Sequence, residues 1–528
     1  MSTHSGSGDG ASESTQIQHI VVIFGENVSF DHYFGTYPVA ANRAGEPVFT
    51  ATPETPVPDG LRGSLLTANP NVLNTRNGPG ATNPFRLDHL QAATADQNHG
   101  YSAEQMAFDN RAMDLFPLAV GRGDPVGLAT QTGASKTATT RWLTMGYYDG
   151  NTVTALWNYA QHYALNDHSF GTNFGPSTVG AINLISGQTN GAAPLADDSA
   201  AVVSDGNRGL TLISDAEPKG DVCDARRASV VAMTGKNIGD LLTAANITWG
   251  WFQGGFDLTV TDADGRTGCR RATRSPVTGV MSGDYNPIEE PFQFYASTQN
   301  LQHTRPTAVT AIGTNNDGAN HQYDLHDFTD ALAAGNLPAV SFLKAPEFEQ
   351  GHAGFSDPLD EQRFIVDLVN AIERSKLWPS TAIIVAYDDS DGWYDHVNHV
   401  VNGSATSRDT LSGAGECKTG DATADSALPG IDPATEHAQG RCGYGPRLPL
   451  MVISPWAKKN YIDSTVTDQT SVLRFIEDVF LGGRRIGGGS FDSMAGSLNN
   501  MFDFSQSSPP NPNIVLLNDT TGEVTSNN

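Results

Sequence analysis

The sequence predicts an α/β fold with a mostly parallel central sheet, helices on both faces of that sheet and a loop-rich cap. Two observations support this prediction. Apolar runs of strand length recur along the chain, and amphipathic helical patterns lie between them. Alternation of buried strands with helices is typical of layered α/β proteins.

Five apolar runs are the candidate strands, and each ends abruptly in polar, loop-like sequence. Because neighbouring positions within a run are all apolar, both faces of the strand should be covered, as in a buried parallel sheet. The runs cover residues 17–24, 247–252, 339–343, 382–387 and 450–453.

Three helical patterns lie between these runs. In the clearest, Asp357 is the predicted N-cap and Pro358 the first helical residue, a placement that suits the fixed φ of proline. Two more patterns cover residues 467–479 and 152–164. The apolar face of the first helix comprises Phe364, Ile365, Leu368, Val369 and Ile372.

Four long stretches lack clear periodicity and are rich in Gly, Asp, Asn and Thr. Loops of this length in a compact protein usually carry function or form a subdomain, so we expect a cap over one edge of the sheet. The stretches are residues 40–85, 190–235, 257–330 and 400–445.

This pattern predicts one catalytic domain between two tails. We expect a flexible N-terminal tail at residues 1–15, the domain at 16–505 and a C-terminal tail at 506–528. The predicted cap insertions are residues 190–235, 257–330 and 400–445.

The composition limits the classes of partner. The chain has 528 residues and a formal net charge of -27. With no Lys/Arg-rich run, nucleic acid and anionic membranes are not expected as partners. No segment reaches the roughly 18 consecutive apolar residues that a transmembrane helix needs. An anion site in so acidic a protein would need local positive charge, most simply a metal ion.

The four cysteines form two local pairs, Cys223 with Cys269 and Cys417 with Cys442. Two loop-closing disulfides are plausible, but four free thiols would give the same pattern. Disulfides persist outside the cytosol, so we expect a secreted or periplasmic protein. Residues 1–15 contain no apolar stretch of the kind found in an export signal.

Polar side chains follow two of the predicted strands. The run 17–24 leads through Gly25 to Glu26 and Asn27, and the run 382–387 leads directly to Asp388 and Asp389. In an open α/β sheet, ligands bind beyond the carboxyl ends of the strands. Carboxylate and amide oxygens brought together there suit a divalent metal ion. Acidic residues at strand ends also cap helices or face water, and the spacing leaves both interpretations open.

Ser177 is the candidate nucleophile. It lies in Gly-Pro-Ser-Thr before a short apolar segment at residues 179–185. A hydroxyl at a helix start has backbone N–H groups beside it, and next to a metal it could lose its proton and attack phosphorus. The alternative is an ordinary N-cap serine, which is far more frequent.

Histidines can supply the remaining chemistry, because imidazole near neutral pH donates either a proton or positive charge. Four of them lie in polar segments: His99, His321, His352 and His396. Glycine-containing loops favour His99 and His352, although most histidines in any protein are structural.

Several segments together resemble one family. They are ENVSFDHYFGTYP at 26–38, GPSTVGAINLISG at 175–187, YDDSDGWYDH at 387–396, RLP at 447–449 and SPWA at 454–457. In this order they are similar to the bacterial phosphoesterase family of non-haemolytic phospholipases C and acid phosphatases, from about residue 17 to residue 480.

The resemblance implies an alkaline-phosphatase-like core with one divalent metal ion beside Ser177 as nucleophile. His99 and His352 match positions that contact the phosphoryl group. The implied mechanism is in-line attack by Ser177, a phosphoserine intermediate and its hydrolysis by water. The implied metal ligands are Glu26, Asn27, Asp388 and Asp389.

One segment departs from the family pattern. Where acid-phosphatase relatives commonly read Pro-His-His-x-Pro-Phe, this chain reads PIEEPF at residues 287–292. Ile288 and Glu289 replace two potential cationic donors. If those positions face the pocket, a doubly charged phosphate monoester should bind less well. A diester, a sulfate or a substrate with its own cation, such as choline, then becomes more plausible.

Three functions are therefore open. The first is hydrolysis of phosphate monoesters, as in the acid phosphatases. The second is a phospholipase C that cleaves phosphodiesters such as phosphatidylcholine, and the third is a binding protein with little turnover. The expected partner is a small phosphoester or a phospholipid head group. Oxygen-rich ligation fits calcium, magnesium, manganese, zinc or iron.

Overall fold

The computed structural model describes residues 16–109, 111–123, 139–195, 199–204, 209–225, 228–399 and 443–527. The predicted tail at 1–15, the pair Cys417 and Cys442 and nearly all of the predicted insertion at 400–445 lie outside these residues.

The strands are numbered along the chain. They are β1 (His19–Gly25), β2 (Phe85–Arg86), β3 (Gly146–Tyr147), β4 (Ala164–Asn166), β5 (Ser169–Phe170), β6 (Ala192–Pro194), β7 (Val202–Ser204), β8 (Leu210–Leu212), β9 (Ala216–Pro218), β10 (Ser229–Met233), β11 (Trp249–Gln253), β12 (Ala272–Arg274), β13 (Met281–Gly283), β14 (Gln322–Asp324), β15 (Val340–Lys344), β16 (Thr381–Tyr387), β17 (Leu450–Ile453), β18 (Tyr461–Asp463), β19 (Thr467–Asp468), β20 (Val515–Leu517) and β21 (Val524–Asn527).

The α-helices are numbered in the same way. They are α1 (Phe30–Phe34), α2 (Ser64–Thr67), α3 (Pro70–Leu73), α4 (Tyr101–Phe108), α5 (Phe116–Ala119), α6 (Thr154–His162), α7 (Ser177–Ser186), α8 (Ile238–Ala244), α9 (Leu325–Ala334), α10 (Pro358–Glu373) and α11 (Gln469–Phe480). In the described parts of the chain, none of them is both long and apolar enough to cross a bilayer.

Eight strands form the central sheet in the order β14, β11, β15, β1, β16, β17, β4, β18. Only β17 is antiparallel to its neighbours among the described strands of this sheet. All residues of β11, β15, β16 and β17 are buried, so both faces of the sheet are covered. The prediction of a mostly parallel α/β sheet is confirmed.

All five apolar runs form strands of this sheet. The run 450–453 was expected to be parallel and is antiparallel, because burial on both faces selects the same apolar residues in either direction. The sequence did not indicate β4, β14 and β18, which have three residues each. The insertion predicted at 257–330 includes the edge strand β14, whose sequence Gln-Tyr-Asp is mostly polar.

The predicted helices are present with small changes at their ends. The side chain of Asp357 accepts a hydrogen bond from the backbone N–H of Leu359 and caps α10, with Pro358 in its first turn. The pattern at 152–164 corresponds to α6, and the one at 467–479 corresponds to α11. Thr467 itself lies in β19, and Asp468 caps α11.

Short strands and one disulfide organise the predicted cap. Strands β6, β10 and β9 form a small sheet, and the pairs β7–β8 and β12–β13 form separate two-stranded sheets. Cys223 and Cys269 form a disulfide with a Cα–Cα distance of 5.3 Å. This bond joins the predicted insertions at 190–235 and 257–330, which confirms the first of the two expected cysteine pairs.

The stretch 506–528, predicted as a tail, contains the antiparallel strands β20 and β21. Side chains of α10 satisfy the backbone of β20: Asn370 bonds both the N–H and the C=O of Leu517, at 3.1 and 2.9 Å. Glu373 accepts a bond from the N–H of Val515. Polar helix residues thus replace a neighbouring strand, a pairing that sequence periodicity does not reveal.

Removing the disulfide should destabilise the cap. The two cysteines are 46 residues apart, and the chain-entropy relation for a loop of this length gives about 4 kcal/mol. We expect the double variant Cys223→Ser/Cys269→Ser to unfold at a lower denaturant midpoint than the wild type. An unchanged midpoint, or alkylation of both cysteines in the folded wild type without reductant, would contradict the assignment.

Candidate active site

The register of the sheet brings the predicted metal ligands together. Gly25 at the end of β1 pairs with Tyr387 at the end of β16, so Glu26 and Asp388 leave the sheet side by side. The backbone N–H of Asn27 donates to Asp388 Oδ1 at 2.9 Å. Asn27 has a φ of 59°, a left-handed conformation that asparagine tolerates better than most residues.

Ser177 begins α7 and points at these residues. Its Oγ lies 3.1 Å from Asp389 Oδ2, 3.2 Å from Glu26 Oε2 and 3.4 Å from Asn27 Oδ1. A hydroxyl has one proton and can donate to only one of these oxygens. The other oxygens therefore face Oγ without a hydrogen between them, an arrangement that a cation would stabilise.

The free oxygen of Asp388 supports the same interpretation. Asp388 Oδ2 is buried and, among the described residues, receives no hydrogen bond. Its cationic neighbour is Lys344 Nζ at 3.7 Å. A buried carboxylate oxygen without a donor is costly unless an ion binds it. The residues Glu26, Asn27, Asp388 and Asp389 thus fit a hard divalent cation that prefers oxygen ligands.

Burial and mutual repulsion dominate the electrostatics of this cluster. Burial raises the pKa of Glu26 to about 7, against the lowering effect of Lys344. Burial likewise raises the pKa of Asp388 and of Asp389 well above the usual range, and each is raised further by a neighbouring carboxylate. A bound cation would reverse these shifts, because it stabilises the charged forms.

Lys344 is a site residue that we did not predict. It ends β15, which pairs with the other edge of β1, and its ammonium bonds Glu26 Oε1 while its side chain is 1% exposed. It lies directly after the apolar run 339–343. The strand-end criterion that selected Glu26 and Asp388 would have found Lys344, had it been applied to basic residues.

The two predicted histidines lie together beside the carboxylates. Ring nitrogens of His99 and His352 and a carboxylate oxygen of Asp391 lie within 4.8 Å of one another. Asp391 is linked to the metal cluster, because its Oδ1 accepts a bond from Asn27 Nδ2 at 3.2 Å. A phosphoryl oxygen near this trio could contact both rings.

The two rings differ in charge. Burial alone would lower the pKa of His99, but the carboxylates of Asp389 and Asp391 outweigh it and raise the pKa well above the usual value. Burial lowers the pKa of His352 to about 4. Its Nδ1 lies 2.6 Å from the Ala353 carbonyl oxygen, which fixes this nitrogen as the donor. The surroundings therefore favour the charged form of His99 and the neutral form of His352.

The other two candidate histidines have structural roles. His321 stacks on Trp249 and bonds the Trp249 carbonyl oxygen through Nδ1. His396 Nδ1 lies 2.6 Å from Asp31 Oδ2.

The acidic group beside His396, formed by Asp31 and Asp395, already binds the guanidinium of an arginine. Arg447 is fully buried and contacts Asp31 at 3.0 Å and Asp395 at 3.1 Å. Arg447 and His396 together balance the two carboxylates, because the charged form of His396 is favoured by its contact with Asp31, so the group does not need a metal ion. Arg447 also ties together three of the segments that carry the family resemblance.

The segment that departs from the family pattern, residues 287–292, contacts the helix that carries Ser177. Residues Pro287–Glu289 form a 3-10 turn, and the carbonyl oxygen of Ile288 accepts a bond from Thr178 Oγ1 at 3.0 Å. Burial raises the pKa of Glu289 to about 8, with Lys344 opposing and Glu347 and Asp388 reinforcing the shift. Glu289 therefore belongs to the electrostatic environment of the metal cluster.

Two features fix the position of the nucleophile. Glu104 accepts bonds from the Gly175 N–H at 2.9 Å and from Ser390 Oγ at 2.7 Å, so it joins the start of α7 to the second metal segment. Gly180 lies against that segment as well. A Cβ added at Gly180 would stand 2.1 Å from the Asp388 carbonyl oxygen. Only glycine permits this approach.

The sequence model of the Phosphoesterase family matches residues 17–481 of this chain. The chain belongs to the phosphoesterase family. This match confirms the resemblance that the motifs indicated.

Curated relatives are distant and longer. A non-hemolytic phospholipase C of Pseudomonas aeruginosa is 25% identical over 470 residues, which cover 88% of this chain and 54% of that protein. Phospholipase C A of Mycobacterium tuberculosis is 23% identical over 489 residues, with 90% and 75% covered. A non-hemolytic phospholipase C of Burkholderia pseudomallei is 31% identical over 247 residues, with 46% and 31% covered. The chain thus spans about half or less of two of these relatives.

Among solved structures, a protein of the alkaline phosphatase superfamily from Vibrio parahaemolyticus covers 85% of this chain and 81% of its own. The identity is 10% and the TM-score 0.27. At this TM-score the likeness supports no inference, and we assign the α/β fold class from the sheet topology alone.

Gly180→Ala should impair the site without unfolding the protein. The added methyl must push α7 or the Asp388 backbone away, and a displacement of about 1 Å can cost roughly 100-fold in rate. The matched control is Gly318→Ala, whose methyl would meet Thr304 Cγ2 at 3.7 Å. The measurement is kcat/KM on a phosphoester, with the melting temperature of both variants. Equal rates for the two variants would refute the close-approach argument.

Proposed function

We propose that this protein hydrolyses phosphate esters through a phosphoserine on Ser177. The observation that carries the proposal is the Ser177 Oγ, which lies at a helix start within 3.4 Å of three oxygens that suit a divalent metal ion. Nucleophile, cation site and imidazoles in one cluster are the parts that phosphoryl transfer requires.

In the first step, Ser177 Oγ forms a bond to phosphorus while the bond from phosphorus to the leaving oxygen breaks, and water protonates the departing alkoxide. A divalent ion held by Glu26, Asn27, Asp388 and Asp389 would favour the deprotonated hydroxyl and offset charge on the phosphoryl oxygens. The hydroxyl proton can pass to Asp389 Oδ2, 3.1 Å away. The carboxylates beside His99 favour its charged form, which binds a phosphoryl oxygen. The positive end of the α7 dipole adds further positive potential.

In the second step, water attacks phosphorus, the bond from phosphorus to Ser177 Oγ breaks, and Ser177 Oγ regains the proton that Asp389 accepted. A neutral imidazole can accept the proton of that water, and His352 stays neutral in this environment because burial lowers its pKa to about 4. Its Nδ1 donates to the Ala353 carbonyl oxygen, so Nε2 is the accepting atom.

Two substrate classes share this chemistry: phosphate monoesters, and phosphodiesters such as phospholipids. The names of the relatives, all phospholipases C, favour the second class. We further propose that the protein is secreted or periplasmic, since the Cys223–Cys269 disulfide would persist in an oxidising compartment.

Replacing the nucleophile tests the proposal. Ser177→Ala should lower kcat on p-nitrophenyl phosphate and on p-nitrophenyl phosphorylcholine by about 1,000-fold or more, because no phosphoserine can form. Ser186→Ala is the matched control, since this serine lies at the far end of α7 and its Oγ bonds the carbonyl oxygens of Ile182 and Gln188. Intact mass after an acid quench should show one phosphoryl group on the wild type and none on Ser177→Ala. If the wild type cleaves neither substrate with any divalent metal, the proposal is wrong.

A second test concerns the metal. Asp388→Asn should lower both the bound metal per chain and the rate, because an amide is a weaker ligand than a carboxylate. Elemental analysis after dialysis measures the metal content. Asp240→Asn, a change in the capping box of α8, should keep both values. Full metal content in Asp388→Asn would contradict the ligand assignment.

A further inference from the structure

Glu361 lies in the first turn of α10 and is only 2% exposed, although it bears a carboxyl group. Its two oxygens contact two tyrosines from distant parts of the chain. Oε2 accepts a bond from the Tyr33 hydroxyl at 2.8 Å, and Oε1 accepts one from the Tyr387 hydroxyl at 2.5 Å. One buried carboxyl group therefore links both tyrosines to the same helix.

Each of these tyrosines belongs to a segment that carries proposed metal ligands. Tyr387 ends β16 and directly precedes Asp388, while Tyr33 lies in α1, which follows Glu26. The two rings meet edge to face, with centroids 6.3 Å apart. Glu361 is thus bound to both of the segments whose approach forms the proposed cation site.

Gly25 shows how closely these two segments approach. A Cβ added at Gly25 would stand 2.5 Å from Tyr387 Cε1, so the tyrosine ring packs on the backbone that leads into Glu26. The ring is held at Gly25 and its hydroxyl at Glu361, which leaves Tyr387 little freedom to rotate. Because Asp388 is the next residue, the position of its carboxylate depends on the position of Tyr387.

Glu361 also touches the loop that carries the second histidine. A Cβ added at Gly351, whose φ is 90°, would stand 3.1 Å from Glu361 Cδ. Gly351 directly precedes His352, the base that we propose for the second step. The same side chain therefore contacts both metal segments and the loop of the base.

These contacts do not depend on the charge of Glu361. Burial raises its pKa to about 7, although the hydroxyls of Tyr387 and Tyr33 and the charge of Lys344 lower it. In the protonated form one carboxyl oxygen can donate to a tyrosine oxygen while the other still accepts, because a hydroxyl is both donor and acceptor. Glu361 therefore acts on the site through geometry.

We propose that Glu361 is a positioning residue that holds the two metal segments and the His352 loop at the spacing that cation binding and catalysis require. The inference rests on the proposed phosphoesterase function. Replacing residues that orient metal ligands typically changes metal affinity or activity by roughly 10- to 100-fold. A role in stability alone would leave the metal affinity of the folded protein unchanged.

The same helix supplies a matched control. Glu373 is 1% exposed, and its Oε1 accepts a bond from the Tyr163 hydroxyl at 2.6 Å. Its Oε2 accepts a bond from the N–H of Val515 in β20, so this pair lies beside the C-terminal hairpin. Glu361→Gln and Glu373→Gln therefore alter the same kind of contact in two different places.

The first measurement is the affinity for Mn²⁺, titrated into the metal-free protein and followed by the EPR signal of the free ion. We expect Glu361→Gln to raise the Kd for Mn²⁺ by about tenfold and Glu373→Gln to leave it unchanged. The kcat/KM for p-nitrophenyl phosphate at a fixed Mn²⁺ concentration should fall in Glu361→Gln alone. Melting temperatures establish that both variants are folded.

A milder pair of variants removes one hydroxyl and keeps the ring. Tyr387→Phe should raise the Kd for Mn²⁺ in the same direction, while Tyr163→Phe should not change it. In the double variant Glu361→Gln/Tyr387→Phe, the rise should be smaller than the product of the two single effects, because both changes break the same bond.

Three results would overturn the inference: an unchanged Kd in folded Glu361→Gln and Tyr387→Phe proteins, an equal rise in Glu373→Gln, or fully multiplicative effects in the double variant. A wild type that binds Mn²⁺ but shows no Ser177-dependent cleavage of p-nitrophenyl phosphate or p-nitrophenyl phosphorylcholine is a different result. It removes the proposed function, whereas the Kd values still decide the role of Glu361.

Discussion

Three carboxylates lie buried beyond the carboxyl edge of one sheet, and each of them repels the other two. They belong to Glu26, Asp388 and Asp389. At an effective dielectric constant of about 20, two such charges about 4 Å apart repel by roughly 4 kcal/mol. Lys344 offsets part of this repulsion through its contact with Glu26. A divalent cation of the kind we propose would offset the remainder, and it would also stabilise a serine hydroxyl that faces three acceptor oxygens at once.

The residues around this cluster hold it in place. The parallel register of β1 and β16 sets the spacing of the two metal segments, and Glu104 and Gly180 set the position of α7 against them. Gln469 at the start of α11 donates to the carbonyl oxygens of Tyr387 and Asp388. Helix starts and strand ends therefore converge on one point, as expected for the ligand-binding edge of an open α/β sheet.

Much of this could be predicted from the sequence, and the failures have physical causes. Long apolar runs identified the buried strands, and the carboxylates after them identified the cluster for which we propose a bound cation. The three-residue strands β4, β14 and β18 carry too few residues for a periodic signal. The hairpin near the C-terminus depends on Asn370 and Glu373 of a distant helix. The position of Glu289 depends on the hydrogen bond from Thr178 to the carbonyl oxygen of Ile288, and a contact between residues so far apart in the chain leaves no local sequence pattern.

Arg447 has a consequence for the order in which the protein can be assembled during synthesis. Its guanidinium neutralises Asp31, which lies 416 positions earlier in the chain. Until that arginine leaves the ribosome, Asp31 and Asp395 cannot both be buried with their charges balanced, because His396 compensates only one of them. The burial of Asp31 and Asp395 with balanced charge therefore depends on a residue that is synthesised after both of them.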